Sequence, residues 1–142
     1  ALAMRQEIGD RAGEANTWHN LATIDLREAK YAEARAGFAK ALAMRQEIGD
    51  RAGEAATWHQ LGFVAWESDK KSGGVYLVAI GFLINQAIGH CNTEMAQKIL
   101  LWMCEELGYQ LEQVLELLKS TQASHQQDRG KRLLADAFGG DQ

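Results

Sequence analysis

The chain has 142 residues, 46% of them hydrophobic and 24% charged, and its formal net charge is −4. These values are typical of one soluble domain that can bury a core. An acidic protein has no excess of cations for phosphate groups, so we expect neither nucleic acid nor a membrane surface as a partner.

An internal repeat covers the first half of the sequence. The segment ALAMRQEIGDRAGEA at 1–15 recurs unchanged at 41–55, which gives a period of 40 residues. Such near-identity indicates either recent duplication or deliberate engineering. The period divides the chain into a partial unit at 1–10, unit one at 11–50 and unit two at 51–90.

Each unit is predicted to contain two helices. The first helix of unit one, about 12–28, carries apolar residues at helical spacing: Ala15, Trp18, Leu21, Ala22 and Ile24. The second helix is predicted at 31–48, with Ala34, Phe38 and Ala41 on one stripe. Proline is absent, so glycine must end the helices. Gly49 is predicted to end the second helix and Asp50 to cap the next.

The C-terminal third is predicted to hold a diverged helical hairpin at 91–120, followed by a capping helix and tail at 121–142. Helices are expected at about 92–107, 111–120 and 123–137. In the last of these, Leu133 and Leu134 lie on one side amid polar residues, as in the terminal element of a helical array.

Unit two contains an unusually apolar helix, predicted at 72–88. Its run from Val75 to Ile84 is too short to cross a bilayer and is typical of a buried core helix. A helix that is apolar nearly all round must be covered on more than one side. We therefore expect Leu77 and Leu83 to be covered by the C-terminal helices or by a second chain.

The sequence motifs resemble the tetratricopeptide-repeat family, in its variety of about 40 residues. The resemblance rests on Trp58-x-x-Leu61-Gly62, on Trp18-x-x-Leu21-Ala22 and on the small-large-small set Ala34, Phe38 and Ala41. It implies an all-α fold, a right-handed superhelical array of antiparallel helix hairpins with C-terminal capping helices.

The resemblance also implies a non-catalytic protein-binding scaffold. In this family the first helices line a concave groove that accepts a peptide or helix. The matching positions are Asn16, His19, Asn20, Thr23, Arg27, Ala56, His59, Gln60, Phe63, Glu67, Ala96, Ile99, Leu100 and Met103. This set changes from polar to apolar along the array and lacks paired basic residues. It therefore favours an amphipathic helix or a mixed peptide over an acidic C-terminus.

Self-assembly is the alternative function. The partial unit carries Leu2, Met4 and Ile8, which could form a seam for dimerisation or helix exchange between two copies, and Leu77 or Leu83 on the apolar helix could serve the same purpose. Either route would make the protein a homo-oligomer.

No set of residues predicts catalysis, a cofactor or a metal. His90, Cys91 and Glu94 form the one group that resembles a metal site, but a fourth ligand is missing and His90 occupies the cap position held by Asp50 in unit one. Two free cysteines without a signal peptide favour the cytoplasm. Trp18 and Trp58 are expected to pack inside their hairpins. For Phe63 and Trp66, groove lining and burial remain equal alternatives.

Overall fold

The computed structural model describes residues 2–139, and for residues 2–6 and residue 8 it describes the backbone without the side chain. Within this range the chain forms helices and no strands. The helices are α1 (Leu2–Arg27), α2 (Tyr31–Ile48), α3 (Arg51–Glu67), α4 (Lys71–Ile88), α5 (Thr93–Glu106), α6 (Leu111–Asp128) and α7 (Lys131–Gly139). The predicted all-α helical-repeat array is confirmed.

The connection between α2 and α3 forms as the sequence predicts. Gly49 has a φ of 76°, a left-handed conformation that glycine adopts without steric cost. The N–H of Asp50 donates to the carbonyl of Arg45 at 2.9 Å. The Asp50 carboxylate then accepts from the N–H of Gly53 at 2.9 Å, which caps α3.

The predicted start of the first helix of unit one, at about residue 12, is wrong. Helix α1 continues through Gly9 and Asp10, although the same letters end a helix at 49 and 50. The later break is held by tertiary contacts, because Arg45 donates to the carbonyl of Gly53 and also bonds to α1. A sequence that tolerates both conformations becomes a turn only where packing requires one.

Helix α4 is the central element of the core. By length and composition it could span a membrane, but here α3, α5, α6 and α7 pack around it. Leu77 is fully buried within one chain, so its side chain is not at a surface where a second copy could bind it. Leu83 is half-buried and packs on the cluster formed with α5 and α6. Of the two predicted ways to cover α4, the C-terminal helices are the one that the structure shows.

Helices α3 and α4 approach closely at two glycines. A Cβ atom on Gly62 would lie 2.9 Å from the carbonyl oxygen of Gly74, and one on Gly74 would lie 2.7 Å from the oxygen of Gly62. In unit one, Ala22 and Gly37 meet in the same way. Small residues therefore set the distance between the helices of each hairpin.

The predicted helix boundary after residue 120 is also wrong. Helix α6 continues to Asp128, and the break lies at Arg129 and Gly130, which have φ values of 61° and 88°. The Asp128 carboxylate accepts from the N–H groups of Gly130 and Arg132, which caps α7. A Cβ on Gly130 would lie 2.6 Å from the Trp58 ring, so this turn must come close to the repeat core.

Helix α7 closes the array as a capping element. Ala137 and Phe138 are buried in the cluster that contains the core of both repeats, and Leu133 and Leu134 pack against it. Arg35 of α2 lies over the Phe138 ring, 4.4 Å from its centroid. The apolar side of the last helix thus faces inward, as predicted.

Candidate functional site

One side of α1 and of α3 carries the predicted groove positions of units one and two. Exposed positions are Asn16, Asn20, Arg27, Ala56 and Glu67. Half-buried positions are His19, Thr23, His59, Gln60 and Phe63. Their three- and four-residue spacing gives each helix an open stripe along its length.

Aromatic rings extend this open surface from α3 to α5. The rings of His59 and Phe63 meet edge to face, with centroids 4.8 Å apart. Trp66, which is buried against α5, contacts Trp102 with centroids 5.6 Å apart. Trp102 is 49% exposed. Of the two alternatives, Trp66 is therefore buried, whereas Phe63 is partly exposed.

In the third unit, the diverged hairpin at 91–120, the predicted groove positions lie elsewhere. Met103 is fully buried, and Ala96 and Leu100 are buried with it against α4. Ile99 is half-buried on the same cluster. The predicted placement of Met103 in the groove is wrong, because α5 uses that face for packing.

Helix α5 exposes Leu101 and two further apolar residues, Met95 and Trp102, which sequence reasoning did not select. Their seven-residue spacing is the available signal, since it puts both on one helical face. The helix has apolar residues on two faces, and periodicity alone does not tell which of them is buried.

Arg45 joins the two repeats through a buried polar cluster. Its guanidinium donates to the Thr57 hydroxyl at 2.8 Å, to the carbonyl of Gly53 at 3.1 Å and to the Asn16 side-chain oxygen at 2.7 Å. It also donates to Nδ1 of His19 at 3.1 Å. Asn16 and His19, two predicted groove residues, therefore hold a structural arginine, whose role was not predicted.

The His19 ring is electrically neutral in this cluster. Burial, together with the positive charge of Arg45, lowers the pKa of His19 to about 4. A neutral ring has a free lone pair on one nitrogen, which here accepts from the guanidinium. Protonation would place two cations side by side and remove that hydrogen bond.

Acid should therefore weaken the fold through His19. Because the pKa is about 4 in the folded chain and 6.5 as the reference, the unfolded chain binds more protons between these values. The contribution is complete above pH 6.5 and declines as the pH falls toward 4. We expect the free energy of unfolding to fall by about 1–2 kcal/mol over this pH range. This is less than the full pKa difference would give, because water reaches part of the His19 ring.

The control is His19→Asn, which keeps an acceptor near Nδ1 but does not titrate. Urea denaturation measured at several pH values should show a flatter dependence for this variant than for the parent. Other acid-sensitive groups, including His59, remain in both proteins and cancel in the comparison. Parallel curves for the two proteins would contradict the role given to His19.

A second polar cluster joins the repeats to α6. Burial raises the pKa of Glu54, but His125, whose Nε2 lies 3.7 Å from the carboxylate, and hydrogen bonds from Trp58 and Gln46 outweigh it and leave the pKa below its ordinary value. The Trp58 indole N–H donates to the Glu54 carboxylate at 3.1 Å. Gln46, Glu54 and His125 line a cavity of about 390 Å³ between the repeats and α6. The cluster orients Trp58 and tethers α6.

Across residues 2–139, no three metal-ligating side chains come together at one point. His90 instead accepts from the backbone N–H of Asn92 through Nδ1 at 3.0 Å. The predicted cap role of His90 is wrong, because the N-cap of α5 is Asn92 and the His90 ring bonds within the turn that precedes the helix. Cys104 is buried as core filling, and Cys91 is exposed.

Comparison with known families identifies one match. The family model described as tetratricopeptide repeat matches residues 1–72, about half of the chain. No curated protein and no solved structure matches the chain significantly.

Proposed function

Because the chain belongs to the tetratricopeptide-repeat family, we propose that the open face of α1, α3 and α5 binds an amphipathic helix of another protein. Repeats of this family generally mediate protein–protein interaction and are typically non-catalytic.

The observation that carries it is the aromatic and apolar surface shared by α3 and α5. Phe63 is half-buried, Trp102 is 49% exposed and Met95 is 64% exposed. Exposed aromatic and methionine side chains are enriched at protein interfaces, and isolated domains seldom leave several of them close together. Polar Asn16 and Asn20 continue the face along α1. The open face is thus apolar at α3 and α5 and polar at α1, and a helix with one apolar and one polar side matches it.

The test is selection of helical peptides from a displayed library of amphipathic sequences. Selected peptides should bind the parent protein. Their affinity for the Trp102→Ala or Met95→Gln variant should be at least about tenfold lower, because truncating an interface anchor of this kind weakens the free energy of binding by more than about 1.4 kcal/mol. Both positions are exposed, so the variants should remain folded.

Leu111→Gln and Leu115→Gln are the matched controls. Both leucines are exposed and apolar, but they lie on α6 and outside the groove. Their replacement should leave peptide affinity unchanged. Failure to enrich any peptide, or equal losses in the control variants, would reject the groove.

Self-assembly is the second candidate, favoured by one difference between the repeats. Leu21 is 51% and Ile24 49% exposed, whereas their counterparts Leu61 and Val64 are fully buried. The face of α1 that carries Leu21 and Ile24 is thus exposed, whereas the equivalent face of α3 is covered. A second copy of the chain could cover the face of α1. Leu2, Met4 and Ile8, the residues first considered for this role, have side chains outside the described residues.

Light scattering coupled to size exclusion tests this candidate across a range of protein concentrations. Self-assembly predicts a mass above the 15.7 kDa of one chain that falls when Leu21 and Ile24 are both replaced by glutamine. A constant mass of one chain at all concentrations would exclude it.

A further inference from the structure

The junction between unit two and the third unit contains a cavity of about 140 Å³. Four of its lining residues are Ala56, His59, Asn85 and His90. Each lies 40 residues after a member of the Arg45 cluster. Their counterparts are Asn16, His19, Arg45 and Asp50.

The cavity is therefore the second copy of a site that a guanidinium fills in the first. Arginine at position 45 is replaced by the shorter Asn85, and asparagine at position 16 is replaced by Ala56. Both changes remove side-chain volume from the same place. Exposed Asn92 and Met95 also line the cavity, so it opens to solvent on the side of the groove.

We propose that this cavity binds the guanidinium group of an arginine side chain supplied by the partner protein. The inference rests on the proposed groove and adds a specific subsite to it. The partner's arginine would enter from solvent and occupy the space that Arg45 fills from within the chain at the preceding junction.

The remaining groups suit a guanidinium, a planar and weakly hydrated cation with five donors. Asn85 and Gln60 carry amide oxygens, and burial lowers the pKa of His59, which keeps that ring neutral and able to accept. Asn85 lies in the last turn of α4, and that turn contains no basic residue. The carbonyl end of a helix favours a cation there.

The second site lacks the carboxylate that assists the first. The Asp50 carboxylate lies 4.0 Å from the Arg45 guanidinium, and its counterpart His90 uses Nδ1 for the N–H of Asn92. A guanidinium in the cavity would meet neutral acceptors among the lining residues. We therefore expect weak binding of the free group, with a dissociation constant on the order of 1–10 mM, and useful affinity only when the group is carried by a larger ligand.

The first experiment uses ethylguanidinium chloride and its uncharged isostere ethylurea as probes, at matched ionic strength. Side-chain amide signals of Asn85 and Gln60 are followed by NMR. We expect saturable shifts with ethylguanidinium and at least about tenfold weaker binding of ethylurea. Equal binding of the two probes, or shifts without saturation, would overturn the proposal.

Two variants check the location. In Ala56→Asn/Asn85→Arg, the chain supplies its own guanidinium, as it does at the first junction, and probe binding should fall at least about tenfold. Ala56→Met fills the cavity from an exposed position and should have the same effect without a buried charge. Retained binding in a folded variant of either kind would overturn the assignment.

The second experiment separates a partner's arginine from a free guanidinium compound. Peptides selected for groove binding should contain an arginine whose replacement by glutamine weakens binding to the parent at least about tenfold, with little effect on the filled variants. Peptides that bind through Trp102 without such an arginine would support the proposed groove but contradict the guanidinium subsite. Ethylguanidinium binding in the absence of any peptide binding would instead reject the groove and make a free guanidinium compound the ligand.

Discussion

Replacing Trp58 by alanine is expected to lower the free energy of unfolding by about 3–5 kcal/mol, the range for a large side chain removed from a packed core. Trp58 is fully buried, and its indole N–H donates to the buried carboxylate of Glu54. Its ring also lies against Gly130 in the turn between α6 and α7. The substitution would therefore leave a cavity, one hydrogen-bond donor fewer for the Glu54 carboxylate and a loosened C-terminal cap.

Trp18→Ala is the matched control, because Trp18 occupies the same position of the preceding repeat. Trp18 is half-buried and contacts Lys40, whose Nζ lies 4.1 Å from the ring centroid. We expect the free energy of unfolding to fall by about 1 kcal/mol, since part of the Trp18 side chain already faces water. Urea denaturation followed by circular dichroism measures both variants. Equal losses would mean that the two repeats are covered alike, contrary to the structure.

The second large effect is expected at Arg45. Arg45→Met should lower the free energy of unfolding by about 2–3 kcal/mol, because it removes the donors shared by Thr57, His19 and Asn16 while keeping most of the packing volume. The loss is smaller than for a fully enclosed ion pair, since exposed Asn16 can bond to water instead. Arg45→Lys should recover little, because a single ammonium cannot reach acceptors on both α1 and α3.

Arg51→Met controls for the removal of a charge. Arg51 is exposed at the start of α3, and its replacement should change stability by no more than about 0.5 kcal/mol. A double-mutant cycle between Arg45→Met and Asn16→Ala should give a coupling energy of about 1 kcal/mol. Additive losses would show that the Asn16 contact contributes nothing to joining the repeats.

The repeat period, the helices and much of the core could be predicted from the sequence, because these follow from local chemistry. Spacing placed Ala34, Phe38 and Ala41 on one stripe, and all three are buried. Gly49 and Asp50 gave the end of α2 and the start of α3, because a left-handed glycine and a capping carboxylate act on their own neighbours along the chain.

The candidate site was predictable only in part. The open stripes of α1 and α3 followed from the family resemblance. Met103 was misplaced, and Met95 and Trp102 were missed, since α5 has apolar residues on two faces and only contact with α4 decides which one is buried. Arg45 was missed because its acceptors come from helices distant along the chain.

The repeated segment separates the two kinds of information most clearly. Residues 1–15 and 41–55 are identical, yet residues 2–15 lie within α1 while the second copy spans the turn at Gly49. Trp18 and Trp58 follow these copies at the same offset and differ in burial. Amino-acid identity determined helix-forming tendency, capping and the apolar stripes. Tertiary packing decided where a helix ends and which stripe is buried, because both depend on the neighbouring helices.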